Sequence, residues 1–68
     1  MEPTPIRLSP KELQILQLLA NGLKSPEIAE KMCLSLPTIK WYRKKLRAKF
    51  EANTSVEMVR KAMKQGLI

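Results

Sequence analysis

Four helix-start signals divide this 68-residue chain into segments that each fit one short helix. In each signal a serine or threonine, able to cap the free N–H groups of a helix, stands just ahead of a proline or glutamate. The clearest signal is Ser9-Pro10-Lys11-Glu12, in which Ser9 and Glu12 form the reciprocal pattern of a capping box. The other signals begin at Ser25, Ser35 and Thr54. No segment alternates with the period of a strand, so the sequence predicts an all-α fold.

The apolar residues behind each signal set the limits of the helices. We predict helix one over about 10–21, helix two from Ser25 to near Cys33, helix three over about 36–50 and a fourth helix that stops at Gly66. A short helix, a brief turn and a longer helix are the outline of a helix-turn-helix. The predicted architecture is a four-helix bundle that contains this motif. Residues 8–68 form the domain, and residues 1–7 form a linker or flexible arm.

Within the fourth helix, the spacing of Val56, Val59 and Met63 predicts that these residues face the core. Cys33 and the four methionines are expected to fill gaps in the same core.

The composition excludes several classes of function. The chain has no histidine and one cysteine, so it lacks the ligands of an ordinary zinc site and the usual acid–base residue of a catalytic triad. We therefore predict no enzyme activity, no metal and no cofactor. Cys33 alone forms no intramolecular disulfide, and no apolar run approaches the roughly 20 residues of a membrane span. We expect a cytoplasmic protein that does not enter a membrane.

Almost the whole net charge of +7 lies on the predicted third helix. That stretch contains no acidic residue and six basic ones: Lys40, Arg43, Lys44, Lys45, Arg47 and Lys49. A cluster of positive charge on one helix of a small basic domain indicates a nucleic-acid partner.

The position of the only tryptophan strengthens that interpretation. On a helical wheel Ile39, Leu46 and Phe50 lie within about 20° of one direction, which marks the buried side. Trp41 lies about 160° from that direction, on the side ringed by Lys40, Lys44, Lys45 and Arg47. An exposed indole among cations suits the DNA major groove, where thymine methyls and base edges meet the aromatic ring and phosphates meet the cations.

Simpler explanations exist for each of these features. A basic run is most often a solvated helix face, and a tryptophan in a small bundle is most often part of the core. A basic helix can also lie on anionic lipid, although such helices bury their aromatic residues on the apolar face. Alternatively, the basic helix docks an acidic partner and the chain is a protein-interaction module.

Tyr42, at the border of the apolar stripe, can pack and reach a phosphate with its hydroxyl. The helix start at Ser25 can bind a phosphate or simply cap its helix.

Four sequence blocks, in order, resemble LuxR/FixJ-type DNA-binding domains. The blocks are Leu8-Ser9-Pro10-Lys11-Glu12, Leu19-Ala20-Asn21-Gly22-Leu23, Glu27-Ile28-Ala29-Glu30-Lys31-Met32 and Thr38-Ile39-Lys40. The resemblance implies a four-helix DNA-binding domain of a bacterial transcription regulator, commonly the output domain of a two-component response regulator. It also implies double-stranded DNA as a partner, a homodimer on DNA and a covalently linked N-terminal receiver or sensor domain. RNA polymerase is a further candidate partner.

The resemblance also assigns roles to individual residues. It implies that Lys40, Trp41 and Lys44 contact bases, and that Thr38, Tyr42 and Lys45 contact the DNA backbone. Arg47 is added to the predicted backbone contacts because of its position on the helical wheel. Ser25 is added because it stands at the start of helix two. The last helix pairs two copies in the family, and its edge least needed by the predicted core carries Met58, Ala62 and Gln65 as candidate dimer contacts.

The chain departs from the family pattern at two places. Trp41 and Tyr42 stand where the family often has a small residue followed by histidine, so base preference does not carry over. Glu51 stands where a glycine usually follows the recognition helix, so we expect a different exit from that helix. A sigma-factor region-four-like domain, which shares this helix order, remains the alternative among DNA-binding proteins.

Overall fold

The computed structural model describes residues 6–68, which form four α-helices and contain no strand. The helices are α1 (Pro10–Ala20), α2 (Ser25–Met32), α3 (Leu36–Lys49) and α4 (Ser55–Lys64). These bounds confirm the predicted all-α bundle and its helix-turn-helix. Most of the predicted arm, residues 1–5, lies outside the described residues. Ile6 packs against the core, and the Arg7 carbonyl accepts a hydrogen bond from Lys49, 3.1 Å.

Three of the four predicted caps are present. The Glu12 N–H donates to Ser9 Oγ (3.2 Å) and the Ser9 N–H donates to Glu12 Oε1 (3.0 Å), which completes the capping box. Ser35 Oγ accepts from the N–H of Thr38 at the start of α3, 3.3 Å. Thr54 Oγ1 accepts from the N–H of Glu57 at the start of α4, 3.1 Å. These side chains satisfy N–H groups that a helix leaves free at its first turn.

The start of α2 differs from the prediction by one residue. Lys24 occupies the cap position, and its N–H donates to Glu27 Oε1, 3.0 Å. Ser25 is therefore the first helical residue and does not cap α2. Its side chain is buried and turned toward α3, so the helix start is held by the glutamate instead of the serine.

One apolar core joins the four helices. Its buried members are Ile15, Leu16, Ile28, Ala29, Ile39, Leu46, Phe50, Met58 and Ala62. The third helix packs against all three others, with Ile39, Leu46 and Phe50 on its buried side, as the helical wheel predicts. Among residues 6–68, no helix combines the length and apolar character needed to cross a bilayer.

The predicted core face of α4 is wrong at two of its three residues, because only Val59 packs against the core. Met58 and Ala62 are fully buried in the core, whereas Val56 is 68% exposed and Met63 is 61% exposed. Met58 and Ala62, predicted to be dimer contacts, are therefore unavailable to another molecule. The apolar residues of α4 spread over a wide arc of the helix, so the sequence pattern alone does not determine which edge faces the core. Cys33 is also exposed, and of the methionines in residues 6–68 only Met58 is fully buried.

The chain leaves α3 through a left-handed turn at Glu51. Glu51 has φ 51°, a conformation that glycine adopts most easily. The N–H of Ala52 donates to the Arg47 carbonyl (2.9 Å), which closes the helix end. Lys61 Nζ donates to the carbonyls of Phe50 (3.1 Å) and Glu51 (3.0 Å). The α4 lysine thus satisfies carbonyls that the end of α3 leaves free.

An ion pair between a half-buried lysine and a buried carboxylate connects the end of α3 to the start of α1. Lys49 Nζ lies 2.9 Å from Glu12 Oε1, and the Glu12 side chain is almost fully buried. Burial raises the pKa of the Glu12 carboxyl, but the hydrogen bonds from Lys49 and Ser9 outweigh it, so the pKa is lowered. A carboxyl whose pKa is lowered by folding stabilises the folded state only while it is ionised.

We predict that Glu12→Gln lowers the free energy of unfolding by about 1–3 kcal/mol at pH 7, because it removes a charge-assisted hydrogen bond. Urea unfolding checks this, with Glu30→Gln, an exposed acid on another helix, as the matched control expected within about 0.5 kcal/mol of the parent.

The contribution of Glu12 is present above its ordinary pKa of 4.5 and disappears as the pH falls through the lower folded-state value. The gap between the parent and Glu12→Gln should therefore narrow below about pH 4. A gap that stays constant from pH 7 to pH 3 would contradict this role of the ion pair.

Candidate nucleic-acid interface

The outer face of α3 carries an exposed tryptophan among lysines. Trp41 is 55% exposed, and the neighbouring Lys40, Lys44 and Lys45 are exposed at the same surface. This face lies opposite the buried side of the helix, as the wheel predicts. The prediction that the only tryptophan lies outside the core is confirmed.

Two neighbours hold the Trp41 ring. The Tyr42 ring meets it edge to face, with 5.0 Å between the ring centroids and 72° between the planes. Lys45 Nζ lies 5.0 Å from the centroid of the Trp41 ring, within the range of a cation–π contact. Tyr42 is itself half-buried and packs against the core. Its predicted position at the border of the apolar stripe is confirmed, and it links the exposed indole to the fold.

The cations on this face are free of carboxylates. The ion pairs among the described residues are Lys49–Glu12 and Lys61–Glu57, and neither involves the outer face of α3. Lys40, Lys44, Lys45 and Arg47 therefore present positive charge that no acid of residues 6–68 pairs with. Such a surface attracts polyanions and gains free energy from counterion release when it meets phosphates.

Two residues of the basic run have a different role. Arg43 donates hydrogen bonds to the hydroxyls of Ser25 and Ser55, and so joins α3 to the first residues of α2 and α4. Lys49 pairs with Glu12. The prediction placed both in the basic run of α3 but not on the face around Trp41, and it did not include these contacts. The helical wheel does indicate that Arg43 lies near the bundle, because it is only about 40° from the buried direction of α3.

The remaining predicted contact residues lie around the same face or beside it. Thr38 is half-buried near the start of α3, where its Oγ1 lies 2.7 Å from Ser35 Oγ. Arg47 is half-buried and lines a shallow surface cavity with Lys40 and Arg43. Ser25 is only 6% exposed and its hydroxyl is bound by Arg43, so that hydroxyl is not available to a phosphate. Gln65, the third predicted dimer contact, is exposed.

A short helix, a tight turn and a longer helix with a basic, solvent-facing side define the class of helix-turn-helix DNA-binding domains. The turn consists of Cys33, Leu34 and Ser35, and Cys33 takes a left-handed conformation with φ 55°. The sequence profile of the bacterial regulatory proteins of the luxR family matches residues 7–62. The chain belongs to this family, which confirms the resemblance seen in the sequence.

Curated relatives agree with that assignment. The chain is 40% identical over 60 residues to BvgA of Bordetella pertussis, a virulence factors putative positive transcription regulator, with 88% of this chain and 29% of BvgA covered. It is 36% identical over 67 residues to the response regulator Rre1 of a Synechocystis strain, with 96% and 29% covered. The chain thus spans less than a third of these relatives.

The fold has a close counterpart among solved structures. A structure of the Vibrio cholerae VqmA dimer, a LuxR-type receptor in the absence of its target DNA, matches with a TM-score of 0.88 and 33% identity. The match covers 93% of this chain and 28% of VqmA. The four-helix arrangement is therefore that of a LuxR-type DNA-binding domain.

We predict that Arg43 stabilises the bundle in the absence of any ligand. Arg43→Met keeps an apolar stem but leaves the Ser25 and Ser55 hydroxyls without their donor, so the free energy of unfolding should fall by about 1–3 kcal/mol. The matched control is Lys44→Met, the same kind of change at the next residue on the exposed side, expected within about 0.5 kcal/mol of the parent. Equal stabilities of the two variants in urea would show that the Arg43 contacts contribute nothing.

Proposed function

We propose that this chain is the sequence-specific DNA-binding output domain of a bacterial response regulator, with α3 inserted in the major groove. The observation that carries the proposal is the exposed Trp41 among cations that no acid of residues 6–68 pairs with, on the face of α3 that the core leaves free. Membership of the luxR family supports a transcription regulator over a sigma-factor region. The Rre1 relative, itself a response regulator and much longer than this chain, supports a linked receiver domain.

In this proposal the residues of α3 make two kinds of DNA contact. Lys40, Trp41 and Lys44 face the base edges, the role that the family resemblance implies for them, and all three are exposed. Thr38, Tyr42, Lys45 and Arg47 meet the sugar–phosphate strands. Phosphate contacts supply most of the affinity, and base contacts supply the preference for a sequence.

We further propose that two copies bind paired half-sites through α4. The exposed Val56 and Met63 lie on one side of this helix, two turns apart, and neither serves the core. A pair of apolar residues on a symmetric contact gains free energy when both copies bury them. Gln65 stays a candidate contact at the other edge of α4.

To test whether Trp41 reads bases, we compare a variant at a proposed base contact with a variant at a proposed backbone contact on the same DNA. Trp41→Ala should weaken binding to the preferred site by roughly 1–3 kcal/mol and reduce the preference over a mismatched site. Arg47→Ala should weaken both sites alike and reduce the slope of log K against log salt by about 0.9 for each phosphate that the variant no longer neutralises. Lys45→Ala is a poorer comparison, since Lys45 also contacts Trp41. Gel-shift titrations at several salt concentrations measure both quantities. Unchanged affinity and preference in Trp41→Ala would contradict a base-reading role.

The pairing prediction uses Val56→Glu combined with Met63→Glu. Both positions are exposed, so the double variant should fold as the parent does and bind a single half-site with little change. It should bind two half-sites without cooperativity, because two acidic copies repel each other. The single variant Gln65→Glu tests the other edge of α4. If only Gln65→Glu abolishes cooperativity, the contact lies on that edge and the Val56–Met63 assignment is wrong.

A further inference from the structure

The Trp41 indole contacts two neighbouring side chains of α3. Its ring contacts the Tyr42 ring edge to face and lies under the Lys45 ammonium, yet 55% of the residue stays exposed. Tyr42 is half-buried and packs against the core, so its ring connects the indole to the bundle. A large apolar surface is thus presented to solvent in a restrained orientation, on the face of α3 where no carboxylate of residues 6–68 pairs with the cations.

The chemistry of an indole limits what it can recognise in a DNA groove. It has one N–H donor, no hydrogen-bond acceptor and a broad apolar face. Most groups that the base edges present in the major groove are hydrogen-bond donors or acceptors, and the only methyl group there is the C5 methyl of thymine. The apolar face of Trp41 therefore complements thymine through a methyl group that cytosine, guanine and adenine lack.

We propose that Trp41 recognises the C5 methyl group of one thymine in each half-site, with Tyr42 as the residue that positions the ring. This inference rests on the proposed function, since it requires that α3 enters the major groove. Neighbouring Lys40 and Lys44 carry donors only, so their contacts do not depend on that methyl group. The methyl group alone should therefore account for a measurable part of the preference.

The experiment removes the methyl group and nothing else. A preferred site is first selected from a random DNA pool with this domain, and each thymine in it is then replaced singly by deoxyuridine. Fluorescence anisotropy with labelled duplexes gives Kd for each. At one thymine per half-site we expect Kd to rise about fourfold, the ratio that corresponds to burial of one methyl group at ~0.8 kcal/mol. Replacement at the other thymines should leave Kd unchanged.

Variants assign the effect to the indole. Trp41→Ala should bind the thymine and uracil duplexes equally, whereas Lys44→Ala, its matched control on the same face, should bind both more weakly and keep the ratio of about four. Tyr42→Phe keeps the edge-to-face ring and should keep the ratio. Tyr42→Leu removes that ring and should reduce the ratio toward one, provided that its thermal unfolding shows a folded domain.

The outcomes separate this inference from the proposed function. If a site is selected but no thymine responds to removal of its methyl group, or if Trp41→Ala retains the ratio, methyl recognition by Trp41 is wrong while sequence-specific DNA binding stands. If the random pool yields no enriched site at all, the proposed function itself fails.

Discussion

The burial of Ile39, Leu46 and Phe50 fixes the rotation of α3 about its own axis, and the exposed face of the helix is a consequence of that rotation. Each of these side chains gains about 1.5–3 kcal/mol on leaving water. Turning α3 so that Trp41 faced inward would expose all three and carry Lys44 and Lys45 toward an apolar core. Burial of an unpaired ammonium costs several kcal/mol, so the indole remains outside even though it is the largest apolar side chain of the protein.

The basic residues of α3 have two roles: some contact other helices of the bundle, and the others face solvent. Arg43 and Lys49 lie toward the bundle, where they bind the hydroxyls of Ser25 and Ser55 and the carboxylate of Glu12. Both residues bridge α3 to other helices and set its position relative to α1, α2 and α4. The remaining cations of the run pair with no acid of residues 6–68. A helix that is anchored through some of its charges and free at the others presents its outer face in a defined orientation, which a groove-binding helix requires.

The predicted helix orientations are correct where the sequence pattern allows only one buried side. On α3 the apolar stripe is narrow and the charges lie opposite, so the wheel predicts both the buried side and the exposure of Trp41. On α4 the apolar residues cover a wide arc, and local pattern alone does not separate Met58, which is buried, from Val56, which is exposed. The Arg43 contacts depend on where the starts of α2 and α4 meet α3, and such long-range positions are not encoded in the periodicity of any single helix. The left-handed Glu51 is likewise supported by Lys61, which comes from the next helix along the chain.

The central claim is that the face of α3 around Trp41 meets the bases of DNA. The most direct measurement is a titration of the isotopically labelled domain with its selected DNA site, monitored by ¹H–¹⁵N NMR. Because the chain has one tryptophan, its indole N–H gives a single assignable signal. We expect that signal to shift together with the amides of the exposed side of α3, while the exposed residues of α1 change little. An indole signal that stays in place while the domain binds DNA through another surface would contradict the claim.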